Sequence, residues 1–467
     1  MTYIYNTVLP GQVERRKDTP KTFIYLFLHS EDPFLIDIAN KEWKGITKMS
    51  TMLSNVFFSS LIVFGCCCVL SRTFELSGNL VNDVKVNTDT RRFVDGYNRE
   101  RVFHGVNAVY KISPWLPTND GFTATTSLSV EDAEILQSWG FNIVRLGVMW
   151  PGLEPKKKEY SDKYLEDVNT LVSQLADRGI YVILDLHQDL WHREYCGEGV
   201  PDYLQEDCMN GYPSDTKSFP MPVVNETYPE DENGNPDLDS CLSQKFAKYY
   251  MSNEVGAAFQ CLYDNKAGSW DAMAEYWRFV AKKFSDVENV IGYELINEPW
   301  AGDVYNDPKR LLPKYTEKNY LQPLYEYLHE AIREIDDKKI IFFEGLTIDY
   351  IWETGFTQGP GNVEYNDRQA LSYHVYCPTQ NPNMIVERAC DDINKKFFEF
   401  REKDSQRLGT AMILTEFGAM QDIEADMNQL EHTMQVADGY LQSWMYWQYK
   451  YYEDITTCTP EGTIDTC

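Results

Sequence analysis

Residues 289–300 read NVIGYELINEPW, and this stretch decides the fold. Its apolar run, 290–295, is a buried strand that ends in Asn297, Glu298 and Pro299, so it delivers a carboxylate at its C-terminal tip. Barrel enzymes keep their chemistry at that end of the strand. An amide beside a carboxyl is a candidate general-acid pair: Asn297 binds a substrate hydroxyl while Glu298 hands over a proton. Taken alone, an acidic residue after a strand is more often a helix N-cap or a solvated loop residue. The rest of the chain must therefore supply a partner.

Seven further segments carry strand signals: 102–107 (VFHGVN), 142–146 (NIVRL), 181–186 (YVILDL), 340–343, 371–376, 411–415 and 443–448. Helical stretches alternate with them. Residues 130–139 open on Ser129 and Asp132, spaced as a capping box, and close on Gly140. Others span 164–176, 272–284, 321–335 and 393–401. This alternation predicts an α/β fold, a (β/α)8 TIM barrel, in preference to a doubly wound sheet, and no GxGxxG follows a strand to favour a nucleotide fold.

The barrel is expected over 90–450, with a long insertion after strand 3 at 191–255 that is rich in Gly, Pro, Asp and Asn. Hanging from a strand's C-terminal end, it reads either as a lid or rim over the site or as a decorative surface loop. Residues 1–48 lack any clear period and read as a non-native or disordered extension, with translation starting at Met49 or Met52. Within 49–72 the run VFFSSLIVFGCCCVL predicts a signal peptide core, or a signal anchor flanked by Lys41, Lys44 and Lys48. Residues 451–467 read as the truncated start of a C-terminal region.

Composition narrows the function. The formal charge of −29, from 72 acidic and 43 basic residues, argues against nucleic acid or an anionic membrane as the main partner at neutral pH. Thirty-one Tyr and 11 Trp supply flat faces of the kind on which sugar rings stack, although a large core needs aromatics too. Cys196, Cys208, Cys241, Cys261, Cys377, Cys390, Cys458 and Cys467 form an even set that predicts disulfides and an oxidising compartment. Cys377 with Cys390 is the expected pair, and the first four allow three connectivities. The sequon Asn225-Glu226-Thr227 agrees with secretion, and the absence of any CxxC leaves a zinc site without support. No metal and no cofactor are expected.

The strand ends collect polar and aromatic residues. They are Arg145; Asp185, His187 and Asp189; Asn297 and Glu298; Glu344; His374 and Tyr376; Glu416; and Trp444 and Trp447. Each has a bland reading as ion pair, core histidine or packing residue, but their joint placement on one barrel end does not. Glu298 and Glu416 would face each other across the mouth, and carboxyls roughly 5 to 5.5 Å apart define a retaining glycosidase. Arg145 and Tyr376 would hold Glu416 ionised as nucleophile, and Glu298, facing that charge in a desolvated pocket, would keep its proton as acid/base.

In this order, Arg145, His187, Asn297-Glu298, His374-x-Tyr376, Glu416 and Trp447 resemble the clan A enzymes of glycoside hydrolase family 5. The stretches NAVYKISPW (107–115), LDLHQD (184–189), AFQCLYDN (258–265) and LINEPWAGD (295–303) are similar to the endoglycoceramidases, which cut between an intact oligosaccharide and ceramide. The resemblance implies that Glu298 is the acid/base and Glu416 the nucleophile. It also implies that Asn297 binds the 2-hydroxyl of the reducing-end glucose, that His187 and Asp189 bind other hydroxyls, and that Trp447 stacks under the ring. Lys111 and Tyr263 match stretches that line the glycan subsites. Two departures are expected: the chain reads as lacking the β-sandwich that usually follows the barrel, and Tyr263 aligns with a tryptophan of bacterial members.

The expected partner is thus a glycosphingolipid, met at a membrane or micelle surface, with the need for an activator protein left open. The expected location is secreted or lumenal. Two other readings share the pattern: a family 5 β-glucosidase or β-glucanase acting on a glucosyl lipid or β-glucan, and an inactive glycan-binding barrel.

Overall fold

The computed structural model describes residues 83–212, 230–231, 234–243, 246–348, 352–376, 384–420 and 424–452. The expected extension at 1–48, the leader at 49–72, the sequon at Asn225, Cys377 and residues 453–467 lie outside them.

In chain order the main elements are β1 (Lys85–Asn87), β2 (Arg92–Val94), β3 (His104–Ala108), α1 (Val130–Ser138), β4 (Ile143–Gly147), α2 (Asp162–Ala176) and β5 (Tyr181–Asp185). The insertion contributes α3 (Asp202–Met209) and leads into α4 (Asn253–Tyr263). Then follow α5 (Ser269–Phe284), β6 (Val290–Glu294), α6 (Gln322–Arg333), β7 (Ile340–Glu344), β8 (Gln369–His374), α7 (Met384–Leu408), β9 (Ala411–Gly418), α8 (Glu424–Gly439) and β10 (Ser443–Trp447). Strands β3 to β10 close into a parallel barrel in sequence order, β10 pairing with β3. This is the expected (β/α)8 architecture.

Local chemistry explains the elements. Helix α2 buries Tyr164, Leu165, Val168, Leu171, Val172 and Leu175, an i, i+3/i+4 stripe that packs on the strands, and the Ser161 side chain caps its first turn. The Ser129 and Asp132 capping box forms as expected, and Gly140 takes a left-handed φ of 85° just past α1. Asn289 pins the entry to β6, its Nδ2 donating to the carbonyls of Val172 at 2.9 Å and Ile180 at 3.1 Å. Gly292 inside β6 lets the strands meet: a Cβ there would stand 2.0 Å from the Ile340 carbonyl oxygen.

Inward-facing positions fill the barrel in two levels. The lower level is apolar and contains Phe103, Ile143, Ile183, Ile291, Phe342, Ala370, Ile413 and Met445. The hairpin β1–β2, which the sequence reading did not anticipate, adds Val86 and Phe93 to this cluster and closes the barrel's lower end. One level up, the inward residues are polar: Asn107, Arg145, Asp185, Glu294, Glu344, His374 and Glu416. Strand β9 runs three residues past the expected end, and its register against β8 slips between Leu414 and Glu416, so that His374 stands opposite Glu416.

Beyond β10 the chain crosses the β3–α1 loop. Lys450 Nζ pairs with Asp132 at 2.5 Å and donates to the Thr123 carbonyl at 2.6 Å, and Tyr452 is fully buried. Two disulfides form: Cys196–Cys241 closes a loop within the insertion, and Cys208–Cys261 ties the insertion to α4. They select one of the three open connectivities. Cys390 is also disulfide-bonded.

Candidate active site

Arg145, fully buried on β4, is the hub of the upper level. Its Nη1 donates to Glu416 Oε1 at 2.5 Å and to Asn107 Oδ1 at 3.1 Å, and its Nη2 donates to Asn297 Oδ1 at 2.8 Å and lies 3.1 Å from Asp185 Oδ2. Its Nε pairs with Glu294. A guanidinium presents its donors in a fixed fork, so one side chain ties together residues of four other strands, β3, β5, β6 and β9. Tyr376, two residues beyond β8, donates its hydroxyl to Glu416 Oε2 at 2.8 Å. Glu416 therefore has both oxygens held, one by a charge and one by a phenol.

Glu298 occupies the opposite side of the mouth. Its Oε1 lies 2.7 Å from His374 Nδ1, and its Oε2 accepts from Thr347 Oγ1 at 3.1 Å. His374 Nδ1 is also 3.5 Å from Glu416 Oε2, and oxygens of Glu298 and Glu416 approach within 4.8 Å. An approach this close fits the roughly 5–5.5 Å of a retaining pair better than the roughly 6.5–9.5 Å that an inverting enzyme leaves for water. Asn297 directs one amide hydrogen to the Gln188 carbonyl at 2.9 Å, which leaves the second for a ligand hydroxyl.

The electrostatics separate the two carboxyls. Burial, joined by the charge of Asp189, pushes Glu298 up to about 7. Burial raises Glu416 as well, against the opposing pull of the Arg145 guanidinium. Of the pair, Glu298 is the one that keeps a proton near neutrality. Burial lowers His374 to about 4, so it stands neutral between them.

A second polar group borders the first. His187 Nδ1 pairs with Asp185 at 2.7 Å while its ring stacks on Trp447, centroids 5.1 Å apart. Burial alone would lower His187, but Asp185 outweighs it and holds the imidazole up at about 10. Lys111 Nζ lies 2.6 Å from Asp189 Oδ2, 3.6 Å from Glu198 Oε1 and 4.6 Å from the centre of the Trp447 ring. Tyr250 donates to Asp189 Oδ1 at 3.1 Å. His187, Asp189 and Glu198 also have metal-ligand spacing, as do two other acid–histidine groups at the mouth. In each group the chain itself supplies a cation to a carboxylate, Lys111 in the first and Arg145 in the others.

Arg145, His187, Asp189, Asn297, Glu298, His374, Tyr376, Glu416, Trp447 and Lys111 thus converge on one barrel end. Tyr263 does not join them: its hydroxyl bonds the Trp300 carbonyl, and its ring packs near Arg310 and Tyr320. Trp444 points to the helices, stacked on His104 at 4.3 Å. The sequence reading missed Gln188, Glu198 and Tyr250. Glu198 and Tyr250 come from the insertion, and no strand pattern marks them.

The model of the cellulase family, glycosyl hydrolase family 5, matches residues 124–453. An endoglycoceramidase of Cyanea nozakii is 40% identical over 371 residues, covering 79% of this chain and 70% of that protein. An endoglycoceramidase of Hydra vulgaris is 39% identical over 378 residues, 81% of this chain and 69% of its own. Endo-glycoceramidase II from Rhodococcus sp., solved as a ganglioside GM3 complex, shares the fold with a TM-score of 0.61 at 21% identity, covering 76% of this chain and 75% of that one.

Proposed function

The chain belongs to glycosyl hydrolase family 5, and from that premise we propose that it is a retaining β-glycosidase that hydrolyses the linkage between the oligosaccharide and the ceramide of glycosphingolipids. The observation that carries the chemistry is the approach of Glu298 and Glu416 within 4.8 Å. The lipid-glycan substrate is supported by the likeness to the Cyanea and Hydra endoglycoceramidases.

Glu298 protonates the glycosidic oxygen as the Glu416 carboxylate attacks the anomeric carbon, which forms a covalent glycosyl enzyme and releases ceramide. Glu298, now ionised, takes a proton from water as that water displaces Glu416 and frees the oligosaccharide. Arg145 and Tyr376 keep Glu416 ionised and aimed. Trp447 offers a ring face to the sugar, and Asn297 offers its free amide hydrogen. The two disulfides support a secreted or lumenal location, where such bonds persist.

Incubation with a ganglioside tests the reading by its products. Free oligosaccharide together with ceramide is expected. Glucose alone would move the assignment to a glucosyl-lipid hydrolase, and ligand binding without product would make the barrel a glycan-binding module.

A further inference from the structure

The backbone of Glu298 is itself under constraint. Its φ is 38°, in the left-handed region that residues with a Cβ seldom enter, and such conformations persist only where neighbours over-determine them. Two buried side chains do so from opposite sides. Glu344, at the tip of β7, accepts the Glu298 N–H on its Oε2 at 2.8 Å. Gln188, between His187 and Asp189, donates its Nε2 to the Glu298 carbonyl at 2.9 Å and to the Asn297 carbonyl at 2.6 Å. Gln188 is fixed in turn, since its Oε1 accepts the Trp191 N–H at 2.9 Å.

We propose that Glu344 and Gln188 are positioning residues that clamp the peptide of Glu298 in its left-handed conformation and so aim its carboxyl at the glycosidic oxygen. The inference rests on the reading of Glu298 as the acid/base. Glu344 is anchored for this work: the Tyr325 hydroxyl donates to its backbone carbonyl at 2.8 Å, and its Oε1 lies 3.4 Å from His374 Nδ1. The charged groups around it are Glu298, Glu294 and Arg145. Burial, together with those two carboxylates, raises Glu344 well above the ordinary range, so it serves as a neutral acceptor of the N–H. A glutamine of the same shape retains that acceptor oxygen, whereas a leucine does not. Without the clamp, Glu298 relaxes toward an ordinary backbone conformation and its carboxyl shifts, and a displacement of about 1 Å at a reacting group costs on the order of 10²-fold in rate.

The test compares steady-state kinetics of the wild type, Glu344→Gln, Glu344→Leu, Gln188→Leu and Glu298→Gln on one ganglioside. Glu344→Leu and Gln188→Leu should each lose roughly 10- to 100-fold in kcat with KM within about twofold, because the aim of the acid matters to the transition state and not to ground-state binding. Glu344→Gln should restore kcat to near wild type. Wild-type kcat in Glu344→Leu, or a loss confined to KM, overturns the clamp. Should the leucine variants fail to fold, Glu344→Asp carries the test, since its shorter carboxyl withdraws from the N–H: a kcat loss at constant KM supports the clamp and unchanged kcat overturns it. A loss in Glu298→Gln with none in Glu344→Leu removes the clamp alone. Full turnover in Glu298→Gln removes the acid assignment and the clamp together.

Discussion

Arg145 and Glu416, 271 residues apart in sequence, share a hydrogen bond of 2.5 Å at the centre of the barrel mouth. The same guanidinium also reaches Asn107, Asn297, Asp185 and Glu294, so it couples the nucleophile to the strand that carries the acid/base. Replacing Arg145 by Met leaves Glu294 and Glu416 buried without their counter-charge and Asp185 with His187 alone. Removing one partner of a buried pair costs about 3–5 kcal/mol, and thermal unfolding of Arg145→Met should show that loss. An unchanged melting temperature would contradict the hub role.

Glu416→Gln should form no covalent intermediate, and Glu298→Gln should lose on the order of 10²- to 10⁴-fold in turnover on a substrate whose leaving group needs a proton. Mass spectrometry of the quenched protein should find a glycosyl adduct on the wild type and none on Glu416→Gln. Near wild-type turnover in either variant contradicts the assigned roles.

The acid must be protonated in the free enzyme, so kcat/KM should fall as pH rises through about 7, where burial has placed Glu298. Stability follows with a definite sign. The folded pKa lies above the ordinary value of 4.5, so this group's contribution is fully present below about 4.5 and is lost as pH rises through about 7. Denaturant melts at pH 5 and pH 8 should differ by less in Glu298→Gln than in the wild type; an equal difference removes Glu298 as a source.

Lys111 sits between Asp189 and Glu198 with almost no exposure, 3%. Lys111→Met should raise KM for the glycan several-fold and lower stability by about 3–5 kcal/mol, because two carboxylates lose their buried counter-ion. Titration of binding, run beside thermal melts, separates the two effects.

Cys196–Cys241 and Cys208–Cys261 close segments of 45 and 53 residues. Replacing either pair by Ser should cost about 2–4 kcal/mol, and release of the insertion should raise KM through Tyr250 and Glu198. Peptide mapping of the unreduced protein checks the pairing itself, and a Cys196–Cys208 or Cys196–Cys261 bridge would contradict it.

Much of this was legible in residues 289–300. The apolar run, its polar tip and seven similar segments determine alternating strands and helices, because a strand buried on both faces must be apolar along its length until it meets solvent. The residue types at the strand ends name the chemistry for the same reason: a carboxylate, an arginine and a histidine at one buried level are too costly to leave unpaired.

Tertiary structure decided the rest. Counting by two from inward-facing Ile413 turns Thr415 to the lumen, and only the register slip in β9 brings Glu416 there instead. Tyr263 and Tyr250 are indistinguishable as sequence, yet one bonds the Trp300 carbonyl and the other reaches Asp189. The left-handed backbone of Glu298 and its partners Glu344 and Gln188 are equally invisible along the chain. A sequence pattern records which faces are apolar over a few residues, whereas a hydrogen bond across a barrel depends on shear, bulges and loop closure summed over hundreds.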